Sequence, residues 1–244
     1  MRNVIVTGAS RGIGLGIAEC LARAGFRVLA VARSETSELR AAANDIQREG
    51  DGEIRFAEFD LARTRDIPDF VRGLRQSAGP VYGLVNNAGI GTEGLLANMA
   101  LPAIERLIAI NTLAPIVMTK HATRSMIAAG EGRVINIASI VADHGYAGLS
   151  VYAATKASLV GFTRSLAREV GPMGITVNAV APGYVKTEMT AGAPAGHLEK
   201  IAHRAALKRL AGVDDVAHAV AFLMGDKARN ITGTVMAVDA GATA

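Results

Sequence analysis

Short, continuously apolar runs alternate along the chain with longer segments of helical periodicity, and this alternation limits the possible folds more than any other feature. Runs that are apolar at every position, rather than at every second one, indicate strands covered on both faces. The predicted strands are residues 3–7, 27–32, 53–59, 83–86, 133–138, 176–181 and 235–238. The predicted helices are residues 12–24, 35–49, 67–77, 101–129, 151–171 and 213–224.

A regular succession of strand and helix is typical of parallel sheets, because each crossover between parallel strands usually contains a helix. We therefore expect an α/β fold: one doubly wound, Rossmann-type domain over residues 1–244, with a mostly parallel seven-stranded sheet and helices on both faces. The segment 184–212 differs, because it contains Gly192, Pro194 and Gly196 and lacks a firm period. We expect it to form a mobile flap over a substrate site.

Residues at the predicted helix ends support these boundaries. Gly25 follows the first helix, and glycine commonly ends helices because it adopts left-handed backbone angles. Asp66 is expected to cap the helix that has Pro68 in its first turn. Asp214 and Asp215 begin the last helix, where acidic side chains interact favourably with the helix dipole.

Composition argues against several classes of protein. The formal net charge is +4, but the basic residues are scattered among acidic ones, which argues against nucleic-acid binding. The sequence has no uninterrupted run of about 20 apolar residues and no signal-peptide pattern, so we expect a soluble, cytoplasmic protein without membrane contact. The single Cys20 fits a reducing compartment, and the spacing of the five histidines predicts no metal site.

The first predicted strand runs into the glycine-rich sequence TGASRGIG at residues 7–14. Gly8 permits a tight turn, Gly12 lets the backbone approach a phosphate, and Gly14 allows a helix to pack closely on the strand. The following helix would direct its N-terminal amides and the positive end of its dipole at that phosphate. A dinucleotide site is therefore predicted here, comprising Gly8, Ser10, Arg11, Gly12, Ile13 and Gly14.

The end of the second strand indicates which nucleotide this site prefers. A carboxylate there would hold the ribose 2′-hydroxyl of NAD, whereas an arginine would bind the 2′-phosphate of NADP. Ala32 occupies the position of the acid, and Arg33 and Ser34 follow it. Arg11 of the glycine loop could bind the same phosphate, since guanidinium groups bond phosphate oxygens in pairs. We therefore predict NADP(H) as cofactor, with Glu35 as a weaker rival that would favour NAD.

Six motifs occur in order along the chain: TGASRGIG at 7–14, NNAG at 86–89, Asn111, Ser139, YxxxK at 152–156 and PGYVKT at 182–187. Together they resemble the motifs of the short-chain dehydrogenase/reductases, and the resemblance extends over the whole chain. In detail the chain is most similar to the bacterial 3-oxoacyl-[acyl-carrier-protein] reductases, in stretches such as VYAATK at 151–156 and AREV at 167–170.

The chemistry of the predicted catalytic group follows from its residue types. Tyr152 and Lys156 are four residues apart, so on a helix their side chains are adjacent. A phenol has a pKa of about 10, and we expect the neighbouring ammonium and an oxidised nicotinamide to lower it towards the range of efficient proton transfer. Ser139 ends a predicted strand, where its hydroxyl can orient a substrate oxygen.

The resemblance implies further roles. Lys156 would also bond the nicotinamide ribose, and Asn111 would hold a water in a proton relay. Asp60 would lie near the adenine, and Thr187 would hold the carboxamide. The remaining implied cofactor residues are Leu61, Asn87, Ala88, Gly89, Pro182, Gly183 and Val185. The expected substrate pocket consists of Ser139, His144, Tyr146, Leu149 and Tyr184.

These features predict an NADPH-dependent carbonyl reductase, and the resemblance implies a 3-oxoacyl thioester as its substrate. Two alternatives stay open: a reductase of free ketones, sugars or cyclic alcohols, and a catalytically silent dinucleotide-binding regulator. The resemblance also implies a homotetramer, formed through the long helices at 101–129 and 151–171 and the C-terminal strand.

One departure from the similar reductases concerns an acyl carrier protein as partner. Those reductases have two basic residues thought to dock the acidic carrier, and here the positions are Gly130 and Met173. Lys120 and Arg124 keep basic character nearby, although they could instead belong to a subunit interface. Carrier protein, coenzyme A and free carbonyl therefore remain open as the form of the substrate.

Overall fold

A computed structural model describes residues 1–91, 94–185 and 196–244 of the chain. Seven strands form one sheet in which every pairing is parallel, in the order β3-β2-β1-β4-β5-β6-β7. The predicted fold class is confirmed, and each predicted strand lies within two residues of an observed one. The strands are β1 Asn3–Thr7, β2 Arg27–Ala32, β3 Glu53–Glu58, β4 Val81–Asn86, β5 Gly132–Ile137, β6 Ile175–Pro182 and β7 Val235–Val238.

Helices cover both faces of the sheet in two layers. Side chains of α1, α2 and α8 pack against one face, and those of α3, α5 and α6 pack against the other. The helices are α1 Gly12–Arg23, α2 Ser37–Glu49, α3 Ile67–Ala78, α4 Leu101–Ile108, α5 Ala114–Ala129, α6 Ser150–Val170, α7 His197–Arg204 and α8 Val213–Met224.

Burial along the strands explains why their sequences are continuously apolar. Every residue of β1, β4, β5 and β6 is buried, whereas the edge strands β3 and β7 are partly exposed. The strand order reverses direction between β1 and β4. In open parallel sheets the ligand crevice lies at this reversal, outside the carboxyl ends of the strands.

The predicted single helix at 101–129 is interrupted. Between α4 and α5 the backbone widens into a π turn, Ala109–Leu113. Pro115 supplies a reason, because it has no N–H to donate to the carbonyl of Asn111, four residues before it.

The stretch Leu101–Ala129 is long and apolar enough to cross a membrane by length and composition alone, since it contains an 18-residue window with a mean hydropathy of 1.4. A core helix of a soluble protein passes the same test. Leu107, Met118 and Met126 are fully buried, and Met118 and Met126 pack in the core cluster on this face of the sheet.

Two of the three expected helix-end features are confirmed. Gly25 follows α1 with a φ of 87°, and Asp215 accepts a 2.8 Å hydrogen bond from the Gly212 N–H at the start of α8. The capping role expected of Asp66 is wrong: its side chain makes no capping hydrogen bond. It pairs instead with the guanidinium of Arg63, which competes for the same carboxylate oxygens.

The segment 184–212 contains a helix that its irregular sequence did not predict, namely α7. Val185 forms a parallel bridge with Ala211, so the two ends of the segment meet. Residues 186–195 lie outside the described part of the chain, and the flap therefore stays a prediction.

Candidate active site

The glycine loop forms a cradle that larger residues would fill. Gly8 and Gly12 have φ values of 68° and 56°, in the region that favours glycine. A Cβ on Gly14 would lie 2.1 Å from the Gly8 carbonyl oxygen. The N-terminus of α1 has no side-chain cap and no acidic residue in its first turn. Uncapped amides and a positive dipole end make this helix start suited to an anion.

Asn87 holds this loop in place. Its Nδ2 donates to the carbonyl oxygens of Thr7 and Gly8 at 2.9 and 3.2 Å. The Thr7 hydroxyl accepts hydrogen bonds from the main-chain N–H groups of Asn87 and Ala88, both at 3.0 Å. The side chain of Asn87 therefore contacts the loop that would hold a cofactor.

The residues predicted to choose the nucleotide lie beside the glycine loop. Arg11, Arg33 and Ser34 are exposed. Glu35, the rival ligand, bonds the guanidinium of Arg40 at 2.7 Å. The Glu35 carboxylate is therefore engaged in an ion pair. Arg33 and Ser34 directly follow the carboxyl end of β2.

A threonine joins this region to the glycine loop. The hydroxyl of Thr36 donates to the Ser10 carbonyl oxygen at 2.6 Å and accepts from the Leu39 N–H at 3.2 Å. Thr36 thus caps α2 and fixes its start against the loop.

Asp60 and Leu61 follow β3. The Asp60 carboxylate accepts a 3.0 Å hydrogen bond from the Ala62 N–H, which forms a tight local turn. The side chain of Leu61 is only 9% exposed and packs in the core. Of the two, Asp60 presents a polar side chain near the crevice, whereas the Leu61 side chain faces the interior.

Lys156 is buried in α6, with 4% of its surface exposed. Its Nζ donates a 2.8 Å hydrogen bond to the carbonyl oxygen of Ile137, the last residue of β5. The same Nζ lies 5.7 Å from the centre of the Tyr152 ring. Burial lowers the pKa of Lys156 to about 8, because removal from water disfavours the ammonium form.

Tyr152 does not have the lowered pKa expected from the sequence. Burial raises the pKa of its phenol to about 12, and a hydrogen bond with Ser139 lowers it in part. The lowered pKa expected for Tyr152 is therefore wrong for the chain by itself. Removal from water outweighs any stabilisation of the phenolate by the Lys156 ammonium, whose Nζ donates to the Ile137 carbonyl oxygen. The phenol is held in its protonated form.

Asn111 lies in the π turn and is fully buried. Its Oδ1 accepts from the Ile90 N–H, and its Nδ2 donates to the Ile90 carbonyl oxygen, both at 2.9 Å. Nδ2 also lies 3.2 Å from the Thr155 hydroxyl. The side chain is thus committed to protein partners, and the water relay implied for Asn111 stays a prediction.

Four elements bring the predicted catalytic residues together. Ser139 follows β5, and its Oγ accepts a 3.4 Å hydrogen bond from the Val141 N–H. A Cβ on Gly89 would lie 3.4 Å from both the Lys156 Nζ and the Asn111 Oδ1. Gly89 therefore lies between the buried ammonium and the buried amide, where an added Cβ would contact both.

The end of β6 forms the opposite wall. Pro182 is buried, and the Gly183 N–H donates to the Val238 carbonyl oxygen at 3.0 Å. A Cβ on Gly183 would lie 2.7 Å from the Asp239 Cβ, so only glycine fits there without a shift.

The residues after Gly183 are described in part. Tyr184 is half-buried, and Val185 is buried where it meets Ala211. Tyr184 lies close enough to Tyr152 to contribute to raising the pKa of that phenol. Thr187, predicted to hold a carboxamide, lies outside the described residues.

The predicted substrate residues after Ser139 form an open rim. His144 is exposed, Tyr146 is 38% exposed and Leu149 is half-buried. The geometry brings this loop to the edge of the site but does not bury it.

Sequence reasoning missed two apolar residues on the facing segment. Leu95 and Leu96 are 67% and 56% exposed. Their segment is joined to the Tyr146 loop by a 3.0 Å hydrogen bond from the Gly94 N–H to the Gly148 carbonyl oxygen. Two adjacent leucines outside any predicted strand or helix were the available signal, since such residues commonly form binding surfaces when exposed.

Comparison with known proteins agrees with this geometry. A family model described as short chain dehydrogenase matches residues 2–197. The chain is 39% identical over 237 residues to the 3-oxoacyl-[acyl-carrier-protein] reductase of Escherichia coli, covering 97% of this chain and 95% of that protein. The human 3-oxoacyl-[acyl-carrier-protein] reductase is 39% identical over 236 residues, with the same coverage.

Solved structures give the same fold with different named activities. A putative NAD(P)-dependent gluconate 5-dehydrogenase from Beutenbergia cavernae, with bound NADP, superposes with a TM-score of 0.93 at 36% identity, covering 99% of this chain and 96% of that one. A gluconate 5-dehydrogenase from Burkholderia cenocepacia, in complex with NADP and tartrate, gives a TM-score of 0.93 at 29% identity, covering 99% and 95%. By sequence and by fold, the chain belongs to the short-chain dehydrogenase family of oxidoreductases.

Proposed function

We propose that this chain is an NADPH-dependent carbonyl reductase that converts a 3-oxoacyl thioester into the 3-hydroxyacyl form, with Tyr152 as the proton donor. The observation that carries the proposal is the convergence of Ser139, Tyr152 and buried Lys156 beside the glycine loop. A reductase needs a hydride donor and a proton donor on the same carbonyl, and these residues would serve the second need.

The residues present fit a dinucleotide. The glycine cradle and the uncapped start of α1 would hold a pyrophosphate. Arg33, with Ser34 and Arg11, would bind a 2′-phosphate, and the pairing of Glu35 with Arg40 removes the competing ribose ligand. Two family members carry NADP in their structures, which supports the same choice here. Once bound, the reduced nicotinamide would supply the hydride.

The chain's own residues would handle the oxygen of the substrate. Ser139 would donate a hydrogen bond to the carbonyl oxygen and hold it near Tyr152. The phenol would transfer its proton to that oxygen as the carbonyl carbon accepts the hydride, so the C=O bond becomes CH–OH. Since the pKa of Tyr152 is raised to about 12, the phenol carries its proton at neutral pH. Lys156 would hold the nearby positive charge that stabilises the phenolate left behind.

The rim of the site favours an apolar substrate. Leu95 and Leu96 face solvent on one segment, and Tyr146 and Leu149 line the other. The described rim, residues 94–100 and 139–150, contains neither lysine nor arginine. An acyl chain would bury apolar surface there, whereas the carboxylate of a sugar acid would find no lysine or arginine among these rim residues.

A second candidate is a dehydrogenase of free ketones or of sugar acids. The observation that favours it is the likeness to gluconate 5-dehydrogenases at TM-scores of 0.93. The same proton donor would serve either substrate, so the rim and the flap would decide between them.

The docking positions argue against dependence on a carrier protein. Gly130 and Met173 lie two residues before the first residues of β5 and β6, at the amino edge of the sheet, whereas Ser139 follows the carboxyl end of β5. Neither residue carries the positive charge that would attract an acidic carrier protein. We therefore propose that coenzyme A and small-thiol esters are used as readily as carrier-bound ones.

We also propose a homotetramer. One stripe of α5 and the turn before it exposes Leu113, Ile116 and Ile127 at 45%, 37% and 45%. On α6 the exposed positions include Ala154 and Gly161, whose small side chains would let helices of two subunits approach closely. Apolar exposure on this layer would be covered by such an assembly.

The substrate proposal predicts a clear order among carbonyl probes. NADPH oxidation should be at least about tenfold more efficient with acetoacetyl-coenzyme A than with 5-ketogluconate, because the apolar rim stabilises the acyl group. Carrier-bound acetoacetate should show no large advantage over coenzyme A. A marked preference for 5-ketogluconate would support the second candidate, and NADPH binding without reduction of any probe would indicate a regulator.

Cofactor choice should change with the residues after β2. Ala32→Asp with Arg33→Ile removes charge-assisted contacts worth about 1.5–3 kcal/mol and adds a ribose ligand. NADPH affinity should fall about 10- to 150-fold while NADH affinity rises. Fluorescence titration with both nucleotides measures this, and Arg48→Ala, an exposed arginine near the other end of α2, is a control for the loss of a surface charge. An unchanged preference for NADPH in the double variant would contradict the assignment.

Removal of the phenol hydroxyl should abolish most turnover. Tyr152→Phe should lower kcat with acetoacetyl-coenzyme A by about 10²–10⁴-fold, as for a lost general acid. NADPH affinity should stay nearly unchanged, because the proposed role of this hydroxyl is proton transfer. Steady-state kinetics and nucleotide titration separate the two. Near wild-type turnover in Tyr152→Phe would refute the proposed proton donor.

The pH dependence should report the buried ammonium. Lys156 has its pKa lowered to about 8, so it is charged below that pH and neutral above it. The kcat/KM for carbonyl reduction should be flat in mildly acidic and neutral solution and fall as the pH rises through about 8. Lys156→Arg, whose guanidinium stays charged, should lack this limb even if its activity is low. The same limb in both enzymes would assign it to another group.

A further inference from the structure

A chain of buried hydrogen bonds crosses the core from α5 through β4 and β5 to α6. The Nδ2 of Asn86 donates to the Thr119 hydroxyl at 2.9 Å and to the Asn136 Oδ1 at 2.8 Å. The Nδ2 of Asn136 donates to the Thr163 hydroxyl at 2.8 Å. All four side chains are at most 2% exposed. They link the two central strands to two helices without contact with solvent.

Each member lies on an element that carries or adjoins a residue of the proposed site. Asn136 is three residues before Ser139 on β5, and Thr163 is seven residues, or about two helical turns, after Lys156 on α6. Thr119 is eight residues after Asn111 along the helical stretch, and Asn86 directly precedes Asn87. The network therefore joins the four segments whose relative placement forms the site.

Burying this polar network in the core costs free energy, which suggests that the network has a role in positioning the strands and helices. Asn86 and Asn136 are direct partners in the ladder of β4 and β5, among apolar side chains such as Val134 and Met118. Burying amides there costs free energy, and the Asn86 Oδ1 has no partner within the described part of the chain. Apolar side chains would fill the same space without that cost. Hydrogen bonds are directional, so they specify one arrangement of strand and helix more strictly than apolar contacts do.

The network is separated from the hydrogen-bond partner of Lys156 by a single peptide bond. Ile137, whose carbonyl oxygen accepts from the Lys156 Nζ at 2.8 Å, directly follows Asn136. Helix α6 is therefore held to β5 at two points, by Lys156 near its start and by Thr163 two turns later. Loss of the second would let α6 shift and would carry the Lys156 ammonium with it.

We propose that Asn86, Thr119, Asn136 and Thr163 form a positioning network that sets the place of Lys156 relative to the nucleotide and the substrate carbonyl. None of the four touches the reacting atoms. The proposal rests on the proposed reductase function for its effect on turnover, and on the proposed contact of Lys156 with the nucleotide for its effect on binding.

The test removes one hydroxyl while keeping the shape of the side chain. Thr163→Val should lower kcat with acetoacetyl-coenzyme A about tenfold, since small displacements of catalytic groups are costly. It should weaken NADPH binding about fivefold, as expected for one disturbed hydrogen bond. Thr163→Ser, which restores the hydroxyl, should recover both. If Thr163→Val does not fold, Thr163→Ala is measured with the same expectations.

The control variant is Thr176→Val on β6. Thr176 is also buried, 6% exposed, but its hydroxyl has no hydrogen-bond partner among the described residues. The same isosteric change there should leave kcat and NADPH affinity unchanged. Equal losses in Thr176→Val and Thr163→Val would show a general effect of core substitution and overturn the proposal.

A double-variant cycle on NADPH affinity needs no substrate. Thr163→Val should weaken binding about fivefold in the wild-type background but have no further effect in Lys156→Met, because its effect passes through Lys156. Full additivity would overturn the positioning role. If no carbonyl probe is reduced by the wild type, the proposed function fails, whereas this cycle still decides whether the network acts on Lys156.

Discussion

The hydrogen bond from the Lys156 Nζ to the Ile137 carbonyl oxygen, 2.8 Å long, holds a charged group inside the protein at the end of a central strand. An ammonium away from water is stable only where fixed acceptors replace its hydration. One such acceptor is a strand carbonyl, so the charge is as firmly placed as the sheet itself. Burial also lowers the pKa of Lys156 to about 8, which makes its charge sensitive to small changes in its surroundings. Because Tyr152 is on the same helix, the hydrogen bond of Lys156 also fixes the position of Tyr152.

A second constraint comes from the main chain of the long helical stretch. Pro115 cannot donate to the carbonyl of Asn111, and the helix widens there into a π turn. The turn brings the Asn111 amide onto Ile90, which it binds through both its oxygen and its nitrogen. The loop after β4 is thereby held against the helix that follows it. π turns often occur at functional sites, and here the turn joins the nucleotide side of the crevice to Thr155 on α6.

Sequence reasoning succeeded where burial alone decides the pattern and failed where competing partners decide it. The strands were located within two residues because both faces of the sheet are covered, so their sequences are continuously apolar. The glycine loop and the Tyr152–Lys156 spacing likewise follow from local geometry. The cap expected of Asp66 failed because Arg63 competes for its carboxylate. The lowered pKa expected of Tyr152 failed because spacing on a helix shows proximity but not desolvation.

The raised pKa of Tyr152 is compatible with catalysis in the reductive direction. A phenol that keeps its proton to about pH 12 holds that proton whenever a carbonyl arrives, and the hydrogen bond with Ser139 partly offsets the cost of burial. The proposed proton transfer would leave a phenolate, and this charge too would be buried. A positive charge close by lowers that cost, and the Lys156 Nζ lies 5.7 Å from the ring centre. The Nζ donates its hydrogen bond to the Ile137 carbonyl oxygen, so its effect on a phenolate would be electrostatic. The placement of α6, which carries both residues, therefore governs the stability of the product state more than that of the resting one.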